Sequence, residues 1–190
     1  MKKLKLQVQI SVDGFVGRPN GDLDFMTWSW DDKIKDYVNE LTDSCDTILL
    51  GRKMTDGFVS HWTKAVTDPA DQTYPFAKKM VDYPKVVFSK TLDRSDWANT
   101  TLANGDITQE VKKIKAKGGK DIIVYGGAGF VSSLIEAGLI DEYHLFMNPA
   151  AIGDGLTIFN KVNGKLDLKL VSVTPFDCGI TEMIYTPKEN

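Results

Sequence analysis

An α/β fold, with a mixed, mainly parallel sheet, flanking helices and a C-terminal antiparallel hairpin, follows from three features of this chain. Short β-rich runs alternate with segments of helical periodicity through the first three quarters of the sequence. That order belongs to a parallel sheet covered on both faces. Two of these runs, Asp46–Leu50 and Ile122–Tyr125, end in glycine immediately before an amphipathic segment. The tail then switches to strict alternation in Lys165-Leu-Asp-Leu-Lys-Leu170 and partial alternation over 179–185, with a turn near Pro175-Phe176-Asp177. A terminal hairpin is the economical reading.

The elements follow in order. Leu4–Val12 reads as the first strand, and 14–30 is a long loop holding Gly14, Gly17 and Gly21 with Phe15, Phe25, Trp28 and Trp30. That composition suits a lid that excludes water, or equally aromatic packing under the next helix. Ser29 is a plausible cap, with Asp32 three positions on, for a helix whose face is Ile34, Tyr37, Val38 and Leu41. Strand two is Asp46–Leu50, and Gly51–Gly57 opens a strand-to-helix junction. The poorly periodic stretch 59–83 has room for a short helix near Pro75, and Trp62 with Tyr74-Pro75-Phe76 suits a pocket wall or a subunit contact. Strand three is Lys85–Ser89, Ile107 marks a small strand, and a helix over Gln109–Lys117 stops at Gly118-Gly119. Ile122–Tyr125 is strand four, a helix runs over Phe130–Ala137 to Gly138, and Glu142–Met147 is strand five.

With 190 residues and no linker-like stretch, residues 1–190 read as a single domain. Net charge is −3, from 26 acidic and 23 basic residues, without the basic face a nucleic-acid partner needs. Lys2, Lys3 and Lys5 precede an apolar run too short and too broken by Gln7, Gln9 and Asp13 for a signal peptide or membrane span, so a cytoplasmic location is expected. Cys45 and Cys178 read as separate buried thiols rather than a disulfide or metal pair. His61 and His144 belong to no ligand motif, and no metal is expected.

Ligands of open α/β sheets lie beyond the carboxyl ends of parallel strands. Three such ends are polar or glycine-rich here: Gly51-Arg52-Lys53, Ser89-Lys90 and Gly126-Gly127-Ala128-Gly129. Glycines let backbone approach a ligand, and the amides of a following helix favour an anion. The last segment is neither a full dinucleotide fingerprint nor a Walker loop, and packing alone can also call for such turns. Together the three ends suit a phosphorylated dinucleotide, with Arg52 and Ser89-Lys90 gripping a phosphate on a ribose.

The ordered segments Gln9–Gly17, Ile48–Thr55, Val86–Lys90, Ile123–Phe130 and Asp141–Leu145 through Ile152–Leu156 resemble the dihydrofolate-reductase-like superfamily. Within it the chain is most similar to the C-terminal reductase domain of bacterial bifunctional riboflavin biosynthesis proteins and their stand-alone relatives. The resemblance implies an eight-stranded mixed sheet binding NADPH across its edge, and a homodimer. It puts Ile10 and Gly17 near the nicotinamide, and Gly51, Arg52, Lys53 and Met54 near the pyrophosphate and adenosine. Ser89 and Lys90 match the turn that recognises the 2′-phosphate. Gly126, Gly127, Ala128, Gly129, Phe130 and Val131 match the turn beneath nicotinamide and pyrophosphate, with a cis peptide expected at Gly126-Gly127.

The implied reaction is hydride transfer from NADPH to a small heterocyclic or phosphoribosylamino-pyrimidine substrate, as in 5-amino-6-(5-phosphoribosylamino)uracil reductase. Dihydrofolate reductase and a non-enzymatic nucleotide-binding protein are the alternatives. The family places a carboxylate in the first turn after the mobile loop, which points to Asp31 and Asp32; helix capping explains the same residues. Asp13 is read as a residue that fixes its loop through backbone hydrogen bonds, and Asp154 as a second loop-ordering residue.

Overall fold

The computed structural model describes residues 1–188. Eight strands form one sheet: β1 (Leu4–Ser11), β2 (Cys45–Gly51), β3 (Lys85–Phe88), β4 (Thr100–Ala103), β5 (Asp121–Val124), β6 (Glu142–Asn148), β7 (Leu168–Pro175) and β8 (Thr181–Pro187). Their spatial order is β4-β3-β2-β5-β1-β6-β8-β7. The first six are mutually parallel, while β8 pairs antiparallel with both β6 and β7. The mixed sheet and the terminal hairpin match the sequence expectation, with a register shift between Leu170 and Ser172 in the hairpin.

Five helices join the strands: α1 (Asp32–Asp43), α2 (Arg52–Ala65), α3 (Tyr74–Asp82), α4 (Ile107–Lys115) and α5 (Ala128–Glu136). One face of the sheet packs Val111 and Ile114 of α4 and Val131, Leu134 and Ile135 of α5 onto Leu4, Leu6, Val8 and Ile10 of β1 and their neighbours. The other face receives Leu41 of α1, Phe58 of α2 and Met80 of α3 over Ile48, Leu50, Val87 and Ile123. Ile34 and Val38 of α1 extend this layer over Phe146, Phe176 and Ile180. No helix among the described residues is long and apolar enough to cross a membrane.

Several local expectations change. Asp31, not Ser29, caps α1: its Oδ1 accepts from Ile34 N at 3.0 Å. The helix that begins after Gly51, α2, runs on to Ala65 through the poorly periodic stretch, whereas the short helix expected near Pro75 is present as α3, with proline in its first turn where a missing N–H costs nothing. Ile107 opens α4 under an Asp106 cap, and the small strand lies earlier, at Thr100–Ala103. Cys45 and Cys178 are both free thiols, the first buried and the second only partly so.

Side chains of β1 alternate between two unlike environments. Leu4, Leu6, Val8 and Ile10 are buried among apolar residues. On the opposite face Lys5, Gln7, Gln9 and Ser11 register with Glu142, His144, Phe146 and Asn148 of β6. His144 sits between two carboxyl groups, with Nδ1 2.9 Å from Glu182 and Nε2 3.4 Å from Glu142. Lys5 Nζ reaches Ser44 Oγ at 2.9 Å and Asp121 at 3.1 Å.

Candidate functional site

All six parallel strands end at one edge of the sheet, and the site is built there from backbone first. Gly51, the last residue of β2, registers with Phe88 at the end of β3, so Arg52 and Ser89 open adjacent turns. Gly51 also lies against the first turn of α5. A Cβ at this position would come within 2.7 Å of Phe130 Cβ, closer than packed atoms tolerate, so only glycine lets the two elements meet. Phe130 in turn packs on Phe88, with ring centroids 5.0 Å apart.

Gly126 and Gly127 carry φ values of +147° and +83°, conformations that an L side chain rarely adopts. Met54 of α2 covers them, its sulfur 3.8 Å from the Cβ positions both glycines lack. Every peptide bond among the described residues is trans, so the cis bond expected at Gly126-Gly127 is absent. The positive-φ pair provides the turn instead.

Helix starts along this edge differ in one respect. The Asp31 side chain caps α1 and the Asp106 side chain caps α4, each accepting a backbone N–H. By contrast α2 begins on Gly51 and α5 on Gly127, neither with a side-chain cap. Their first-turn N–H groups therefore have no local acceptor, at the ends where the helix dipole favours negative charge. Two uncapped starts brought together through Gly51, Met54 and Phe130 form a cradle suited to a pyrophosphate.

Cationic side chains flank the cradle. Arg52 Nη1 donates to Asp56 Oδ2 at 2.8 Å, and its guanidinium lies over the Trp97 ring. Lys53 and Lys90 are exposed. Ser89 is buried, and its Oγ accepts from Thr91 N at 3.2 Å and Leu92 N at 3.0 Å, so it orders the turn from which Lys90 projects. Ile10 and Val131 are buried in one core cluster, and Phe130 packs against it.

The 12–27 loop is tied to the segment following β6. Gly17 forms a bridge with Leu156. Asp13 accepts from Ile152 N at 2.9 Å and Gly153 N at 2.7 Å through Oδ2, and from Ser11 Oγ at 2.6 Å through Oδ1. The Ser11 hydrogen bond and the backbone donors hold its pKa below the usual carboxylate range. Asp13 is thus a clasp between two loops. Asn148 makes a second clasp, accepting from Thr27 N and donating to Gln9 Oε1, both at 2.8 Å. Trp28 is exposed, while Trp30 Nε1 donates to Thr27 O. Trp62 and Phe76 pack edge-on in the helical layer, with centroids 5.3 Å apart.

Both oxygens of Asp31 accept backbone N–H groups, from Ile34 at the helix start and from Cys178 at 3.0 Å. The Ile34 hydrogen bond, with that of Cys178, lowers its pKa. Asp32 is 95% exposed and pairs with Lys35. Sequence reasoning missed Trp97, Asp56, Gln9 and Asn148. Asp56 is legible as the residue one helical turn after Arg52, but nothing in the sequence places Trp97 against either.

Known proteins share this architecture. The chain is 32% identical over 184 residues to Uncharacterized protein YyaP of Bacillus subtilis (strain 168), covering 97% of this chain and 94% of that one. A diaminohydroxyphosphoribosylaminopyrimidine deaminase/5-amino-6-(5-phosphoribosylamino)uracil reductase from Thermotoga maritima superposes with a TM-score of 0.69 at 16% identity, over 98% of this chain and 57% of that one. Dihydrofolate reductase from Enterococcus faecalis, complexed with NADP(H), superposes with a TM-score of 0.62 at 14% identity, over 98% and 97% of the two chains. Those two likenesses establish the dihydrofolate-reductase-like fold. Residues 2–181 match the RibD C-terminal domain profile, and the chain belongs to that family.

Proposed function

We propose that the protein is an NADPH-dependent reductase acting on a small heterocyclic or phosphoribosylamino-pyrimidine substrate. The observation that carries this reading is the pair of uncapped helix starts at Gly51 and Gly127, brought together through Gly51, Met54 and Phe130, the second entered by a glycine turn of positive φ. A pair of helix N-termini left without side-chain caps, close together at one sheet edge, fits a bound pyrophosphate. Family membership and the fold support a reductase.

In this reading Gly126, Gly127, Ala128, Gly129, Phe130 and Val131 hold the pyrophosphate and the nicotinamide side. Gly51, Arg52, Lys53 and Met54 hold the adenosine side, with Ser89 and Lys90 around the 2′-phosphate. Ile10 and Gly17 border the nicotinamide. When bound, NADPH supplies a hydride for an electrophilic carbon of the substrate. The Asp13 and Asn148 clasps set the position of the adjoining loops and so limit water at that edge. Asp31 makes a poor acid at neutral pH, because both its oxygens accept backbone hydrogen bonds that favour its ionised form. We place the proton source at water beside Asp32, whose exposed, Lys35-paired carboxylate would orient it. The protein would work in the cytoplasm as a homodimer.

Titration calorimetry with NADPH and NADH tests the cofactor. Saturable binding that prefers NADPH is expected, followed by oxidation of NADPH with the riboflavin-pathway intermediate or dihydrofolate. Absence of binding to either dinucleotide would overturn the assignment and favour a non-catalytic role. Single-turnover hydride transfer in Asp31→Asn and Asp32→Asn tests the proton source. Asp31→Asn should retain the wild-type pH profile, and an unchanged profile in Asp32→Asn would leave water alone as the donor.

A further inference from the structure

Arg52 is held in place before any phosphate reaches it. Its Nη1 donates to Asp56 Oδ2 at 2.8 Å, and its Cζ lies 5.2 Å from the centroid of the Trp97 ring. Trp97 Nε1 donates to the other oxygen of the same carboxylate, Oδ1, at 3.2 Å. A guanidinium, an indole and a carboxylate thus close a triangle one helical turn into α2. Trp97 belongs to the β3–β4 connection that also carries Ser89 and Lys90, and Arg52 and Ser89 open neighbouring turns. The triangle therefore stands beside two of the three strand ends, Gly51-Arg52-Lys53 and Ser89-Lys90, on the side read as taking the adenosine.

We propose that Asp56 sets how strongly this edge discriminates between 2′-phosphorylated and unphosphorylated dinucleotides, by competing with the phosphate for the Arg52 guanidinium that Trp97 supports. The inference rests on the reading of the edge as a dinucleotide site. A phosphate and a carboxylate seek the same planar fork of N–H donors, so Asp56 occupies a donor that a 2′-phosphate would use. Its charge also opposes a second anion at short range, whereas a carboxylate is a good acceptor for the free ribose hydroxyls of an unphosphorylated dinucleotide. Asp56 is 63% exposed, which makes its pair with Arg52 weak enough in water for a phosphate to displace it. Trp97 keeps the guanidinium oriented after the exchange, because its cation–π contact does not depend on Asp56.

The test is calorimetric binding of NADPH, NADH, 2′,5′-ADP and 5′-ADP to the wild-type protein, Asp56→Asn and Trp97→Phe. Asp56→Asn should tighten NADPH and 2′,5′-ADP about fivefold and leave NADH and 5′-ADP within about twofold. Trp97→Phe removes the Nε1 donor that engages Asp56 and weakens the ring face under the guanidinium, and should shift the same ratio in the opposite direction by less. The NADPH-to-NADH ratio is the deciding quantity, since a merely structural effect of either change would move all four ligands together. Wild-type binding of NADPH with a ratio unmoved in Asp56→Asn would overturn the competition while leaving the dinucleotide site intact. Failure of NADPH and 2′,5′-ADP to bind any of the three proteins would bring down the site itself, and the competition with it.

Discussion

The two faces of β1 are made by the same eight residues and behave in opposite ways. Toward α4 and α5 it presents Leu4, Leu6, Val8 and Ile10, all buried in one apolar cluster. Toward α1 it presents Lys5, Gln7, Gln9 and Ser11 to a row containing Glu142, His144 and Asn148. Gln7 is only 6% exposed, and its Oε1 has no hydrogen-bond partner; Glu182 Oε2 is likewise buried without one. The apolar face stabilises the sheet by removing surface from water, whereas the polar face gains only where its groups find partners. The difference teaches where this fold keeps its stability and where it keeps positional control, since Gln9 and Asn148 on the polar face lead to the loop at the candidate site.

Adjacent substitutions on β1 break that comparison most directly. Leu6→Ala should destabilise by about 3 to 4 kcal/mol, because Leu6 is fully buried and its removal leaves a cavity among β-strand neighbours. Gln7→Leu, one residue along, should change stability by less than about 1 kcal/mol, since the orphaned acceptor is removed together with the amide. Urea unfolding of both variants measures the contrast. A loss at Gln7 comparable to that at Leu6 would show that the polar face holds the fold as firmly as the apolar one.

The same contrast explains what could be read from the sequence. Glycines at the ends of β2 and β5 are legible because backbone chemistry there is local, and a mixed sheet with a terminal hairpin follows from alternation and a patterned tail, whereas the spatial order of the strands comes from the structure alone. In the sequence Gln7 and Gln9 only interrupt an apolar run, and the structure alone shows Gln7 buried and Gln9 bonded to Asn148, far along the chain. The start of α2 is legible at the Gly51 junction, but its continuation to Ala65 is obscured by Gly57, Ser60 and Thr63, which weaken the helical signal although Phe58 and Trp62 lie one turn apart. Ile107 suggested a strand because it is apolar, yet the preceding Asp106 caps Gln109 N and commits the segment to helix. Asp31 was visible as an acid in the right place, but its second bond, to Cys178 N, depends on the hairpin turn far away in sequence.

Titration sharpens the comparison, because the polar face alone carries buried groups that change charge in the ordinary range. Burial opposes charging His144, but hydrogen bonds to Glu142 and Glu182 outweigh it and raise the histidine pKa. The stabilisation from protonated His144 is therefore complete below pH 6.5 and is lost as pH rises through the elevated folded-state value. Glu142 works from the other side: its hydrogen bond to His144, with Lys3 adding to it, holds its pKa at about 2. That contribution is present above pH 4.5 and is lost as pH falls toward 2. Glu182→Ala should cost about 3 kcal/mol near pH 6, where it strips a partner from a buried charged ring. His144→Leu should flatten the fall in wild-type stability between pH 6 and pH 8. Parallel pH profiles for wild type and His144→Leu would remove the histidine from this account.

A further effect runs in the opposite direction and comes from the same side of the sheet, at β3. Lys85 is 3% exposed, and its Nζ donates to Val81 O and Tyr83 O, both at 2.8 Å, at the end of α3. No salt bridge to a carboxylate accompanies these bonds among the described residues, and burial pushes the lysine pKa down to about 8 from 10.5. Between those two values the unfolded chain binds more protons at this position than the native one, so stability should rise with pH across that window. The neutral amine still has two hydrogens for the two carbonyls, and deprotonation therefore removes the charge without removing the contacts. Lys85→Met should abolish this rise and, by leaving both carbonyls without a donor, cost about 1 kcal/mol at pH 10. Urea unfolding of wild type and variant at pH 7.5 and pH 10 isolates the contribution from the tyrosines that titrate nearby, because those are common to both proteins. A difference between the two proteins that stays constant over this range would mean that Lys85 titrates as it does in the unfolded chain, and that α3 does not bury its charge.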